Sequence, residues 1–416
     1  MHAFSRAKYH VKENLQRNLS KKTIERIKTL LAYLKLFIDI PLLTAKVYFT
    51  NPRGTVLLCY DSPASVGGTE LQIILIAEQL KKMGLRPLVV TMGKLRAQRT
   101  SEFFLRLKQM GGIGHLHLGN VGLIKHTLCE KYRTVLLKRL QASICHCFNP
   151  LSTRLASSAK KAGLKIIYSE TGLPCKNFWW EPLFPHVNEI DTVLAISTAS
   201  LSELRGELGY RGPATVIYSL IDPPPVHIRA RSPIPGELKI VYFGHMHVHK
   251  GVHILFRAFQ KLLSIYPNAY LTFIGEGASR QDLERQVIHT TMEKHVFFSN
   301  FKKNDAIYTH ISHFDLMCLP SFSEGMPCSI LEAMSIGLAV LSTKVGGIPE
   351  LIEDEVSGIL VPPHNETALA QALARFALDP SFRSHTAENG FRRFNNLFAP
   401  HRIIAQLLPL YTQTMT

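Results

Sequence analysis

Short apolar runs of strand length recur along this chain, each followed by a loop and a stretch with helical spacing, and that alternation restricts the fold more than any other feature. Thr55–Tyr60 is such a run; Gly67 and Gly68 follow, then the helix-spaced Thr69–Leu80, then a second run at Pro87–Thr91. Runs without polar alternation belong to strands covered on both faces, and runs interleaved with helices make parallel sheets. The pattern returns at Ala142–Asn149, Lys165–Gly172, Thr192–Ser197 and Ala214–Tyr218, with a helix expected over Ser152–Gly163. Five prolines (Pro223, Pro224, Pro225, Pro233, Pro235) then crowd one segment and mark a linker. Beyond it lie Leu238–Phe243, a helix over Val252–Tyr266, Tyr270–Gly277, Val296–Phe301 and Phe314–Leu319. The expected organisation is α/β in two parallel-sheet domains, 51–220 and 237–390, joined by a linker at 221–236 and ending in helices over 391–416.

Composition sets the chemical surroundings. The formal charge of +17 and the pI near 9.6 point to a polyanionic partner surface: nucleic acid, an anionic bilayer or phosphorylated substrates. Seven scattered cysteines suggest a reducing compartment rather than a disulfide framework. Cys145 and Cys147 flank His146 without a second Cys/His pair at zinc-finger spacing, so no zinc site is expected. No secretory signal and no run of about eighteen uncharged apolar residues is visible, so a cytoplasmic chain without a spanning helix is expected. Residues 1–50 stand apart. Ile24, Ile27, Leu31, Leu34 and Ile38 fall at helical spacing among Lys22, Glu25, Arg26 and Thr29. Such a basic amphipathic extension either lies on a membrane surface or packs on the first domain.

The chemistry concentrates between Leu319 and Glu332, which reads Leu-Pro-Ser-Phe-Ser-Glu-Gly-Met-Pro-Cys-Ser-Ile-Leu-Glu. An apolar run stops at Pro320, a Gly/Pro-bearing loop follows, and helical spacing begins at Ser329. The amides of Met326, Cys328 and Ser329 would lie at the positive end of that helix, which suits an anion such as a diphosphate. Glu324 and Glu332 bracket the turn. Ser329 with Glu332 also fits a capping box, in which Glu332 only satisfies a backbone amide. A second Gly/Pro loop, Val345-Gly-Gly-Ile-Pro-Glu350, opens the next unit.

In that order, Pro-Ser, the Glu pair enclosing Gly-x-Pro, Glu-Ala-Met and Gly-Gly-x-Pro-Glu resemble the donor-sugar site of the retaining glycosyltransferases of family 4. The likeness covers about residues 54–411 and is tightest over 238–363. It implies the GT-B fold, two Rossmann-like domains facing across a cleft, with the last helices returning to brace the first. It further implies that Glu332 holds the ribose hydroxyls, Glu324 contacts the donor sugar and Lys250 neutralises the departing diphosphate. Gly67, Gly68, Gly244, His245, Gly325, Met326, Pro327, Cys328 and Ser329 complete the implied donor site. His245 stands where relatives commonly carry Arg, and Thr171 where they often carry His. Without an Asp-x-Asp to hold a cation against the diphosphate, no metal and no cofactor is expected.

Ligands of parallel sheets sit beyond the carboxyl ends of strands, which makes His146, Asn149, Glu170 and Thr171 acceptor-side candidates. A core histidine is the commoner reading of His146. Trp179 and Trp180 could stack on a sugar face or a lipid, or pack under their loop. The implied function is transfer from a UDP- or GDP-type nucleotide sugar to a glycan or lipid-linked acceptor, at an anionic membrane surface and without nucleic acid. A phosphorylase on the same architecture and a non-catalytic binding protein are the alternatives. Glu332 separates the first of these, since a ribose-binding carboxylate has no purpose without a nucleotide.

Overall fold

A computed structural model describes residues 54–412 apart from 61–67, 92–101, 118–125, 171–183, 208, 223, 226–227, 231–233, 235 and 301–304. The first sheet contains β1 (Thr55–Tyr60), β2 (Arg86–Thr91), β3 (Gly114–His117), β4 (Ala142–Cys147), β5 (Lys165–Glu170), β6 (Thr192–Ala195) and β7 (Ala214–Val216). Its order is β3-β2-β1-β4-β5-β6-β7, parallel at every pairing, with Leu57 opposite Leu88 on one side and Cys145 on the other. The second sheet contains β8 (Leu238–Phe243), β9 (Ala269–Ile274), β10 (Val296–Ser299), β11 (Leu316–Leu319), β12 (Ala339–Thr343) and β13 (Ile359–Val361), in the order β10-β9-β8-β11-β12-β13 and again parallel throughout.

The apolar runs explain both sheets. Val56, Leu57, Leu58 and Cys59 are fully buried, as are Leu316, Met317 and Cys318, because helices cover both faces. The helix Val252–Leu263 buries Val252, Leu255, Phe256, Phe259 and Leu262, a stripe at spacings of three and four. The helix expected over Ser152–Gly163 is instead a 3-10 turn, Pro150–Leu155, followed by a short helix, Ala156–Lys161. Asn149 starts that turn by accepting from the Ser152 amide at 2.8 Å, and Pro150 follows it.

Each sheet reverses its winding once, between β1 and β4 in the first and between β8 and β11 in the second. At such a switch point the loops leave in opposite directions and open a crevice beyond the strands' carboxyl ends. The two crevices face each other. A Cβ on Gly68, just after β1, would lie 3.1 Å from the Cys328 sulfur of the second domain, and one on Gly347 would lie 2.8 Å from the Ser197 Cβ of the first.

The chain then recrosses. The helix Pro380–Arg393 runs through the expected boundary at 390, and Phe394 and Phe398 join the second domain's core. After Pro400, Ile403, Leu407 and Tyr411 pack with Val56, Leu58 and Ile144 of the first. The extension 1–50, the Trp179–Trp180 pair, Gly67 and Thr171 lie outside the described residues.

Candidate active site

Two loops at the second switch point make the centre of the site. Beyond β8 the chain turns at Gly244 and reaches Lys250; beyond β11 it runs from Pro320 to Pro327. Gly251 lets them meet: its φ is +70°, and a Cβ there would fall 2.0 Å from the Pro320 carbonyl oxygen. The Phe322 amide donates to the His249 carbonyl at 2.8 Å and fixes the alignment. Lys250 Nζ then donates to Glu324 Oε1 at 2.7 Å, and Ser321 Oγ donates to the same oxygen at 2.6 Å. Glu324 is only 8% exposed, so this is an almost buried ion pair.

The helix that follows is Cys328–Ser335, with Pro327 as its N-cap and no capping side chain. It begins one residue earlier than the expected start at Ser329, and this removes the capping box. Ser329 lies inside the first turn, where its side chain cannot cap, and Glu332 lies in the second, beyond reach of the N-cap amide. No hydrogen-bond or ion-pair partner holds the Glu332 carboxylate among the described residues. Burial and the nearby Asp222 push that carboxyl up to about 8. Asp222 is itself gripped by Arg106, whose Nη2 donates to its two oxygens at 2.7 and 2.8 Å. Its main-chain oxygen accepts from the Tyr308 hydroxyl.

Two helix starts converge here. The helix Gly68–Lys82 of the first domain begins against Cys328, so two positive helix ends lie close together. Burial, with Glu332 and Glu324 nearby, raises the Cys328 thiol to about 12 and keeps it neutral. Gly325 and Met326 are buried behind the loop, the Gly325 carbonyl accepting from the Gly347 amide at 3.1 Å. Gly244 has φ +148°, and His245 beside it is exposed, its carbonyl accepting from the Tyr242 hydroxyl at 2.7 Å. The rings of His245, His247 and His249 stack in a column with centroids 6.0 and 5.7 Å apart. Burial, then Lys250, pull the His249 imidazole below its ordinary value.

Among the described residues, the acceptor-side candidates His146, Asn149 and Glu170 each have a partner within the protein. His146 is fully buried; Nδ1 is 2.6 Å from the Tyr411 hydroxyl and Nε2 is 2.7 Å from Ser169 Oγ. It joins the sheet to the returning C-terminal helix, and burial pulls it down to about 3. Asn149 serves as the cap already described. Glu170 is 4% exposed and accepts from the Tyr168 hydroxyl at 2.8 Å. His146 thus turns into the core and Asn149 into its own turn: a strand-end position does not reveal whether a side chain turns toward the crevice or away from it.

Glu350 is the residue that the sequence reading left without a task. Its carboxylate accepts from the Thr198 amide at 2.8 and 3.0 Å, the Thr198 hydroxyl at 3.0 Å and the Ala199 amide at 3.3 Å. It therefore caps, from the second domain, the helix Thr198–Glu207 of the first. Arg106 and Asp222 were missed as well. The Gly-Gly-x-Pro-Glu string was the one signal for Glu350; nothing marked the other two.

Two doubly wound sheets with opposed switch points and a C-terminal return have a counterpart among solved structures. Anabaena HepE in complex with UDP superposes with a TM-score of 0.72 at 22% identity, covering 86% of this chain and 100% of that one. The fold is GT-B. Within this GT-B chain, residues 227–393 match the family model Glycosyl transferases group 1. Alpha-D-kanosaminyltransferase of Streptomyces kanamyceticus is 30% identical over 162 residues, 39% of this chain and 42% of that protein. The amylovoran biosynthesis glycosyltransferase AmsK of Erwinia amylovora is 31% identical over 163 residues, 38% and 40% of the two chains. The chain thus spans less than half the length of these curated relatives.

Proposed function

We propose that this protein is a retaining, metal-independent glycosyltransferase of family 4, moving a sugar from a UDP- or GDP-type nucleotide donor to a glycan or lipid-linked acceptor in cell-surface polysaccharide synthesis. The observation that carries the reading is the turn from Glu324 to Glu332. One end holds a preassembled Lys250–Glu324 pair beside a helix start; the other holds a carboxylate left without a partner. A half-buried carboxylate that no protein group holds can take a ligand, and two ribose hydroxyls suit a carboxylate that accepts twice. Residues 227–393 match the group 1 glycosyltransferase model, the curated relatives bear names of glycosyltransferases, and HepE is solved with UDP.

In this mechanism the diphosphate lies by the helix start at Cys328, which the Gly68 backbone approaches closely. Lys250 faces the charge that grows as the sugar–phosphate bond breaks, and it stabilises the transition state more than the bound donor. Glu324 holds Lys250 in place and contacts the sugar. The acceptor hydroxyl attacks from the face that the diphosphate leaves and gives its proton to the departing oxygen, so no protein nucleophile is needed. The protein contributes position and electrostatics. The working location is cytoplasmic, at the inner face of a membrane; no helix among the described residues is long and apolar enough to cross one.

A thermal-shift screen against UDP, GDP and their sugars, followed by donor hydrolysis with and without chelator, tests this. A ligand at a hundred times its dissociation constant adds about 2.7 kcal/mol, a clear rise in melting temperature. Hydrolysis should persist in excess chelator. Stabilisation by inorganic phosphate alone, with no response to any nucleotide, would favour the phosphorylase reading.

A further inference from the structure

We infer that Arg106 is a positioning residue for the nucleotide, a role that rests on the donor reading of the site. From the first domain it grips Asp222 of the linker, and that grip sets how readily Glu332 accepts the ribose hydroxyls.

Both ends of the grip are anchored. Arg106 stands on the helix Glu102–Met110, whose Phe103 and Leu107 are buried in the first domain's core. Its Nη2 donates to both Asp222 oxygens, and the two side chains are 24% and 19% exposed. Asp222 is held from the other side by the second domain. Ile221 lies in that domain's core, the Ser219 side chain bonds the Cys328 thiol, and the Tyr308 hydroxyl donates to the Asp222 main-chain oxygen. Tyr308 is buried, so its hydroxyl fixes the Asp222 backbone while Arg106 fixes the carboxylate.

Among the described residues, the charge that acts on Glu332 comes from Asp222. Its other titratable neighbours are neutral or already paired. Burial, with Glu332 and Asp222 nearby, keeps the Tyr308 hydroxyl protonated, the Cys328 thiol is neutral, and Glu324 is paired with Lys250. A like charge nearby disfavours ionisation, so an ungripped Asp222 would hold a proton on Glu332 and remove an acceptor position. Arg106 offsets that charge in a half-buried place, where solvent screens it less than at the surface. Glu332 already stands at about 8, so a small change in the field of Asp222 alters its ionised fraction strongly near neutral pH. A salt bridge that only ties the domains together predicts something else. Loss of either partner would then loosen the interface and weaken binding in the same direction.

The test is calorimetry of UDP and GDP on the full chain, from about pH 6 to about pH 10. Beside it, carboxyl carbon NMR of the unliganded protein follows Glu332, whose signal is the one missing from Glu332→Gln. Arg106→Gln should raise the Glu332 midpoint by about one pH unit and weaken nucleotide binding at neutral pH about tenfold. Asp222→Asn should lower the midpoint by about one unit and strengthen binding about fivefold. Arg106→Lys keeps the charge and should stay within about half a unit of the wild type. Arg106→Gln combined with Asp222→Asn should follow Asp222→Asn alone, because Arg106 acts through Asp222. Ionisation of the nucleotide is common to every protein and cancels in the comparison. Midpoints unmoved in both single variants, or moved in the same direction, would overturn the proposal. Opposite shifts of the Glu332 signal without a response to either nucleotide would overturn the donor reading and leave the link from Arg106 to Glu332 standing. Nucleotide binding whose pH dependence ignores both variants would do the reverse.

Discussion

The two sheets share a winding and differ in what stands at their switch points. In the second, loops beyond β8 and β11 meet at Gly251 and build an ion pair, Lys250–Glu324. In the first, the polar groups nearest the equivalent strand ends are absorbed by the protein: His146 by Tyr411 and Ser169, Asn149 by its own turn. Doubly wound architecture asks only for apolar strands and covering helices, and both halves supply them. Chemistry asks in addition for polar side chains that the fold leaves unsatisfied or preassembled in an open crevice. The second domain meets that demand, and the first contributes the start of a helix at Gly68. Charge divides along the same line, with residues 221–416 formally neutral and residues 51–220 basic.

The largest effect that would sharpen this contrast is expected at Lys250. Lys250→Ala should lower turnover by about 10²–10³-fold, the usual loss of one group that meets developing charge, while nucleotide affinity changes only a few-fold. Steady-state donor hydrolysis beside calorimetry of UDP separates the two. Intact turnover with weakened nucleoside binding would move Lys250 out of the reaction.

Glu332→Gln comes next. If the carboxylate holds ribose, nucleotide affinity should drop by about 1.5–3 kcal/mol, the scale of hydrogen bonds to a charged group. Its carboxyl is raised from 4.5 to about 8, so the folded protein retains a proton that the unfolded chain releases. Stability from this group is therefore complete at low pH and declines as pH climbs from about 4.5 to 8. Nucleotide affinity should rise over the upper part of that window, because the acceptor form is the ionised one. Both trends should disappear in Glu332→Gln; titrations that run parallel for the two proteins would show that Glu332 does not meet the ligand.

Glu350→Ala tests whether the halves are locked across the cleft. Losing a cap should cost about 0.5–2 kcal/mol in denaturant unfolding. Thr198→Val removes part of the same contact from the other side, so the double variant should cost less than the sum of the two. Strict additivity would mean that the two residues do not act on each other.

The smallest effect is expected at Tyr411→Phe, which removes one buried hydrogen bond to His146 and should cost about 1 kcal/mol with donor binding unchanged. His146 is pulled from 6.5 to about 3, so the stability it confers is present above about 6.5 and is lost as pH falls toward 3. His146→Gln should flatten that acid limb in thermal melts at pH 4–7. A change in the neutral-pH activity profile of this variant would return His146 to the acceptor side.

The sequence alone determined the two parallel sheets, the linker between them and the turn that carries Glu324 and Glu332. All of these rest on patterns spanning one strand, one loop or one helix. Apolar runs show burial on both faces, and glycines show where a backbone must turn or approach closely, because both are demands that a residue meets within its own few neighbours. The exact start of the helix at Cys328 escaped that reading, since Pro327 and Ser329 are both acceptable first residues and only the packed loop chooses between them. Everything that joins the halves was decided by tertiary structure. Arg106 reaches Asp222 across 116 residues, Glu350 reaches Thr198 across 152, and His146 reaches Tyr411 across 265. Helical and strand periods carry no memory over such distances. They say that a side chain is covered, and the docking of one domain on the other decides by what.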